Sequence, residues 1–340
     1  MIASEKIIDS LQKLMCSAIT TAVDAKVANN DYFKRRILGF KAEIEFEKFI
    51  NEKFENKIEF LEGGQFISKK ISGQKDDKNS FIYTTIDNRD PEKYIEIYKR
   101  ISEWNEVKNL YYIKLNENDW NEEPFIAKDN DKKEIKTNIL KPKFDFYIFQ
   151  KDQFISSKIQ DFKIILDNFE KPERRPNIYK LRGDEKFKYF LEYENTTLKK
   201  IYATRYFLDH IMRQARGRQI LDLDGFIIKN KKIILVEIKE KTPNKNKKLN
   251  EKIHWQYGWD SRRLLWYLYL LKKINFTILY NVRQIEDREQ RKFLQWDSIW
   301  IDDFLKGVSW SFSRGGGGGE DTLSAPYSYF KNLEKILEKL

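Results

Sequence analysis

One cysteine, Cys16, and two histidines, His210 and His254, are all that 340 residues contain of either type. A lone cysteine excludes an intramolecular disulfide and points to a reducing compartment. Zinc held by cysteines is excluded with it, and two imidazoles are too few for a histidine-centred metal site. No apolar run reaches membrane-spanning length without charges, and Met1 to Thr21 lacks the compact apolar stretch and cleavage site of a signal peptide. The chain is therefore expected in the cytoplasm with no membrane partner. No internal repeat of fixed period is present. The glycine run Gly315 to Gly319 lacks the Gly-Lys-Ser/Thr ending of a phosphate-binding P-loop, which leaves a flexible linker as its economical reading.

What is present is a large core and a basic surplus. Hydrophobic residues make up 41% of the chain and aromatics 15%, enough to bury one large domain or two ordinary ones. Lys and Arg number 64 against 53 Asp and Glu, a formal charge of +11. Such a surplus favours polyanions through counterion release, nucleic acid before anionic membrane. Lysine-rich usage inherited from genome composition would give the same balance, so charge alone decides nothing.

The segment Leu221 to Lys239 carries more information. Two β-branched apolar runs, Phe226 to Ile228 and Ile233 to Ile238, flank Lys229-Asn230-Lys231-Lys232 and read as a hairpin. A turn centred on Asn230-Lys231 sets Ile228 opposite Ile233 and Asp224 opposite Glu237. Directly opposed side chains lie roughly 5 Å apart, and like charges placed so are unfavourable until something neutralises them. Lys239, two residues after Glu237, shares its strand face, whereas Val236 and Ile238 point into apolar packing. Two carboxylates and an amine thus converge. The carboxylates are hard oxygen ligands suited to Mg²⁺, with Lys239 placed to orient or help deprotonate a water. Asp222, two residues before Asp224, is the rival first ligand or a second one. A solvated acidic hairpin is the bland alternative.

At these residues the chain resembles the PD-(D/E)xK nuclease superfamily, and within it a type II restriction endonuclease. Asp224, preceded by Leu223 and not by proline, stands for the first acidic ligand; Glu237 and Lys239 match the second half of the motif. The resemblance implies an α/β (α+β) fold with a mixed central sheet flanked by helices, Mg²⁺ dependence with room for two ions, and hydrolysis of double-stranded DNA. It also implies a homodimer, since two strands must be cut, and a cognate DNA methyltransferase as companion. A structure-specific repair or recombination nuclease and a catalytically idle nucleic-acid-binding protein are the alternatives.

The surroundings agree with such a core. Trp259 to Lys273 is a strongly apolar helical stretch and Phe276 to Val282 a buried strand, so a parallel crossover is expected after the motif. Apolar residues from Tyr32 to Ile50 recur at helical spacing, giving an amphipathic helix over residues 31–54. Its Glu43 resembles the glutamate that a helix preceding the sheet supplies in many relatives, although about 180 residues separate it from Asp224 and an insertion must lie between. A solvated helix charge is the other reading of Glu43. Strands are expected near Phe81 to Ile86, Tyr111 to Leu115 and Phe144 to Phe149, with polar loops at Asn116 to Asn121 and Ala127 to Lys136.

Lys171 to Pro176, with two prolines and four charges, is the expected border. Residues 1–170 then form an N-terminal α+β region for DNA recognition, residues 171–312 the catalytic core, and residues 313–340 a glycine-rich linker with a helix from Tyr327 to Leu340. Arg213, Arg216, Arg218, Lys241, Arg262, Arg263 and Arg314 surround the motif and are expected on DNA phosphates, which position the duplex without reading it. Lys245, Lys247 and Lys248 read better as a solvated loop. Trp266, Tyr267 and Tyr269 are expected in the core, with Trp255 and Trp259 left open.

Overall fold

The computed structural model describes residues 3–17, 30–55, 57–69, 80–128, 134–167, 193–211, 219–246, 254–287, 291–314 and 321–340. In chain order come helices α1 (Ser4–Ser17) and α2 (Asn30–Lys53), strands β1 (Glu59–Glu62), β2 (Gln65–Lys69) and β3 (Ser80–Asp87), and helix α3 (Ile95–Ser102). Strands β4 (Val107–Lys128), β5 (Glu134–Gln150) and β6 (Gln153–Ser157) precede helices α4 (Ile159–Asp167) and α5 (Asn195–Arg205). Strands β7 (Gln219–Asp222), β8 (Gly225–Lys229), β9 (Lys232–Lys241), β10 (Asn244–Asn246) and β11 (His254–Asp260) lead to helix α6 (Ser261–Ile274). Strands β12 (Thr277–Ile285) and β13 (Phe293–Trp300), helix α7 (Ile301–Gly307), strands β14 (Ser309–Arg314), β15 (Asp321–Pro326) and β16 (Lys331–Asn332), and helix α8 (Leu333–Glu338) complete the described chain. The fold is α+β with mixed sheets, and no described helix is long and apolar enough to cross a membrane.

Two compact units interleave along the sequence: residues 1–37 with 64–222, and residues 38–63 with 223–340. The division departs from the border expected near residue 170. A border sought along the chain is a shift in composition, and an insertion between two strands of one sheet produces none. Lys171 to Pro176, Arg213, Arg216, Arg218, Lys247, Lys248 and the glycine run lie outside the described residues.

The first unit holds the sheet β6-β5-β4-β3-β2-β7. Its three expected strands fall inside β3, β4 and β5. Asn116 to Asn121, expected as a loop, is strand, as are the described residues of the second expected loop, 127–128 and 134–136: β4 continues past an irregularity between Asn116 and Asn121 and pairs with β5 as far as Lys128 opposite Glu134. Trp120, Phe125, Ile139 and Leu140 are buried there, so a half-buried ribbon tolerates polar residues on its other face. The core is rich in tyrosine, with Tyr83, Tyr94, Tyr98, Tyr111 and Tyr112 all buried. Their hydroxyls need partners, and Tyr98 donates to the Tyr111 carbonyl at 2.6 Å.

Asp87 is fully buried at the end of β3 and accepts from the Tyr94 hydroxyl at 2.6 Å, the Asn88 N–H at 2.8 Å and Arg89 at 2.9 Å. Burial pushes its pKa up, but the nearby Lys200 and Arg89 cations and the two side-chain donors outweigh it, holding the carboxyl below its ordinary 3.8. A depressed folded pKa contributes stability above the unfolded value that is lost as pH falls through the folded one. Asp87→Asn should therefore cost about 1–3 kcal/mol near neutrality. The gap to wild type should narrow as pH drops below about 4, read by urea unfolding across a pH series.

The second unit holds the sheet β1-β8-β9-β12-β13-β16 and a smaller sheet β10-β11-β15-β14. As expected, β9 and β12 pair in parallel and α6 lies between them in sequence. Ala42, Phe46 and Ile50, spaced by four along α2, bury one face of that helix in a core with Ile234, Val236, Ile238, Leu279 and Trp296. The C-terminal helix is shorter than expected: Tyr327 to Asn332 is a short 3-10 turn and a strand, and Asn332 caps α8 by accepting from the Glu334 N–H at 3.0 Å. Ser313 and Arg314 belong to β14, which pairs with β15, and not to a linker.

Candidate active site

Asn230 and Lys231 adopt φ of 51° and 65°, the left-handed pair of a type I′ hairpin turn. The ladder runs from Lys229 opposite Lys232 through Ile228 opposite Ile233 to Gly225 opposite Val236. One step beyond this last pair stand Asp224, just before β8, and Glu237 in β9. Gly225 is required here, since a Cβ at that position would sit 2.4 Å from the Phe60 ring.

Strand β9 lies between β8 and β12, and Ile233 to Ile238 are buried without interruption. Both faces of a central strand are covered, so the alternation of β9 sorts its residues between two interiors. Ile234, Val236 and Ile238 enter the core shared with α2. Glu237, on the other face and fully buried, meets α6. Asp260 caps α6 by accepting from the Arg263 N–H at 2.9 Å, and the helix buries Leu264, Tyr267, Leu270 and Ile274. Arg263, one turn before Tyr267, is thereby held over the carboxylates.

The four charges close on one another. Arg263 Nη2 donates to Asp224 Oδ1 at 2.6 Å, and its Nε donates to Glu237 Oε2 at 2.7 Å. The Tyr267 hydroxyl also donates to Glu237 Oε2, at 2.6 Å. Asp224 Oδ2 accepts from the Ile238 N–H at 2.6 Å and from Lys239 Nζ at 3.4 Å. Lys239 Nζ lies 2.7 Å from Glu237 Oε1.

Burial would raise Asp224, but the Arg263 guanidinium, then Lys239 and the Ile238 N–H, hold its pKa below the ordinary value. Burial wins at Glu237, aided by repulsion from Asp224 against Arg263 and Lys239, and its pKa is raised. Burial and Arg263 both press Lys239 downward, yet the two carboxylates outweigh them and raise its pKa. The two carboxylates thus hold Lys239 in its charged form, fit to donate hydrogen bonds.

The donor set fits one hard cation. Two converging carboxylates, one just before β8 and one in β9, are what Mg²⁺ takes alongside waters and substrate oxygens. Glu237 Oε1 is moreover buried and receives no well-directed hydrogen bond among the described residues, although Lys239 Nζ and Arg263 Nε each lie 2.7 Å from it. No three side chains of His, Cys, Asp or Glu gather at one point among the described residues. Glu43 belongs to α2, whose buried residues share the core on the β9 face turned away from Glu237. Asp222 ends β7, opposite Gln65, and accepts from the Gln65 amide at 3.0 Å. The strand breaks at Leu223, so the two-residue alternation that tied Asp222 to Asp224 in the sequence does not carry across.

Among the expected phosphate contacts, Arg263 is engaged by the carboxylates, and Lys241, on the same β9 face as Lys239, donates to the Gly258 carbonyl. Burial, and then Lys239, lower Lys241 to about 8. Arg262 is exposed, and Arg314 lies in β14. Trp259 is buried and stacks on Tyr280 at 4.4 Å, whereas Trp255 is exposed. Trp266 and Tyr269 are half-buried and meet edge to face at 5.7 Å. Tyr267, expected only as core, is also a donor to the site. Its signal was present in the sequence: a core tyrosine must place its hydroxyl, and Tyr267 stands one helical turn from an arginine.

Compared with protein-family models, curated proteins and solved structures, the chain finds no match in any of the three.

Proposed function

We propose that the protein is a metal-dependent endonuclease of PD-(D/E)xK type acting on duplex DNA, with Asp224, Glu237 and Lys239 as its catalytic residues. The observation that carries this reading is the convergence of those three side chains, two of them buried carboxylates, from the residue before β8 and from β9, its neighbour in a mixed sheet. A helix before the sheet, and a parallel strand reached through another helix after it, support the reading.

Asp224 and Glu237 would hold Mg²⁺, which lowers the pKa of a bound water and offsets charge on the phosphate. Tyr267 fixes Oε2 of Glu237, while Oε1 is met by the two cations, Lys239 Nζ and Arg263 Nε, each at 2.7 Å. The Ile238 N–H fixes one oxygen of Asp224. Lys239, about one-third exposed, donates from the rim of the pair and orients the attacking water. The basic surplus draws the polyanion in.

The test is incubation of the protein with unmethylated phage-length duplex DNA in Mg²⁺ or in EDTA. Discrete fragments that appear only with Mg²⁺ are expected, and they would extend the reading to a sequence-specific, restriction-type enzyme. DNA left intact in Mg²⁺ and in Mn²⁺ would remove it. The Arg263 guanidinium across the carboxylates favours a second reading, a nucleic-acid-binding protein that does not cut; salt-sensitive duplex binding without cleavage would establish that one.

A further inference from the structure

Resting on the metal-dependent reading above, we infer that Arg263 is an exchangeable counter-cation: its guanidinium and a divalent ion compete for the same two carboxylates. One planar group spans both acids, reaching Asp224 Oδ1 at 2.6 Å and Glu237 Oε2 at 2.7 Å, which is the bridging role an ion between them would take. Charge decides against simultaneous occupancy. Asp224 and Glu237 are balanced by Lys239 and Arg263, so the quartet is neutral. A divalent cation added to the intact quartet would leave two uncompensated positive charges in a buried place, where desolvation is costly. With the guanidinium withdrawn the excess is one, and an incoming phosphate removes it.

The local structure permits that exchange. Arg263 lies in the first turn of α6, and its backbone N–H is pinned by Asp260. Its side chain is 24% exposed, so rotation about side-chain bonds carries the guanidinium outward while the helix stays in place. Glu237 keeps the Tyr267 hydroxyl, and Asp224 keeps the Ile238 N–H, so neither carboxylate is released when the guanidinium leaves. Turned outward, Arg263 becomes a fork for a DNA phosphate, the role expected of it from the sequence.

The experiment measures Mn²⁺ affinity of the full chain by calorimetry for wild type and Arg263→Gln. In parallel, the Arg263 Nε–H resonance of wild type, identified by its loss from Arg263→Lys, is followed through a Mg²⁺ titration. Arg263→Gln should bind Mn²⁺ about tenfold or more tightly, and the wild-type resonance should move as Mg²⁺ binds. Equal or weaker binding by the variant overturns the exchange, as does a resonance that stays fixed while Mg²⁺ binds, or failure of either protein to bind an ion. If Arg263→Gln does not fold, the wild-type resonance decides alone. Tighter binding by the variant with no cleavage by either protein upholds the exchange and removes the nuclease reading. Cleavage by wild type with no gain of affinity in the variant does the reverse.

Discussion

Lys239→Ala should slow Mg²⁺-dependent cleavage of duplex DNA by about 10²–10³-fold, the range seen when a preorganised donor is removed from an active site. Affinity for the duplex should change only about threefold or less, because one ammonium among many cations contributes little to a polyelectrolyte interaction. The separation follows from position. Asp224 and Glu237 are buried and keep the Ile238 N–H and Tyr267 when Lys239 is gone, whereas the Lys239 side chain is about one-third exposed. Lys239→Arg retains charge but replaces a compact ammonium with a planar fork, and should recover binding without recovering rate. Single-turnover cleavage in Mg²⁺ beside duplex binding in Ca²⁺ measures both. Undiminished cleavage by Lys239→Ala would take this residue out of the chemistry.

Phe46→Ala should destabilise the protein by about 3–5 kcal/mol, the usual cost of emptying a large aromatic site in a core. Phe46 is fully buried and meets Phe60 at 5.7 Å and Trp296 at 5.0 Å, both edge to face. It thus ties α2 to two strands of the sheet that carries the site. Lys48, on the exposed side of the same helix and 3.8 Å from Glu52, is the control, and Lys48→Ala should cost less than about 0.5 kcal/mol. Urea midpoints give both values; equal losses from the two variants would mean that α2 does not pack as described.

Patterns local in sequence were legible before the structure, and pairings between distant segments were not. Alternation and the Asn230-Lys231 turn gave the register that sets Asp224 against Glu237, because a hairpin is decided by neighbours. The helix over residues 31–54 was equally plain, and its burial at Ala42, Phe46 and Ile50 follows its apolar spacing. What spacing cannot tell is which sheet face that helix covers; its buried residues pack on the β9 face turned away from Glu237, so the choice between a metal-facing and a solvated Glu43 is not legible in the sequence. The sequence leaves Asp222 open as first ligand, second ligand or edge charge for a related reason: a two-residue offset means a common face only while the strand is unbroken, and β7 ends at Asp222. Arg263 reads from the sequence only as a candidate phosphate contact, because its partners lie 26 and 39 positions away, beyond any local pattern.

The pairing of β1 with β8 joins Glu59 to Ile228 across more than 160 residues of chain. During synthesis, Phe60 and Leu61 leave the ribosome long before their partners exist, and their apolar faces must be kept from other associations in the meantime. At ordinary translation rates the wait from residue 62 to residue 225 is roughly 8–33 s, far longer than collapse of a domain-sized chain. Residues 64–222 are complete within that interval and free to fold first, so the sheet that bears the carboxylates is the later product of biosynthesis. Refolding from denaturant, where all segments are present at once, should follow a different order from folding on the ribosome.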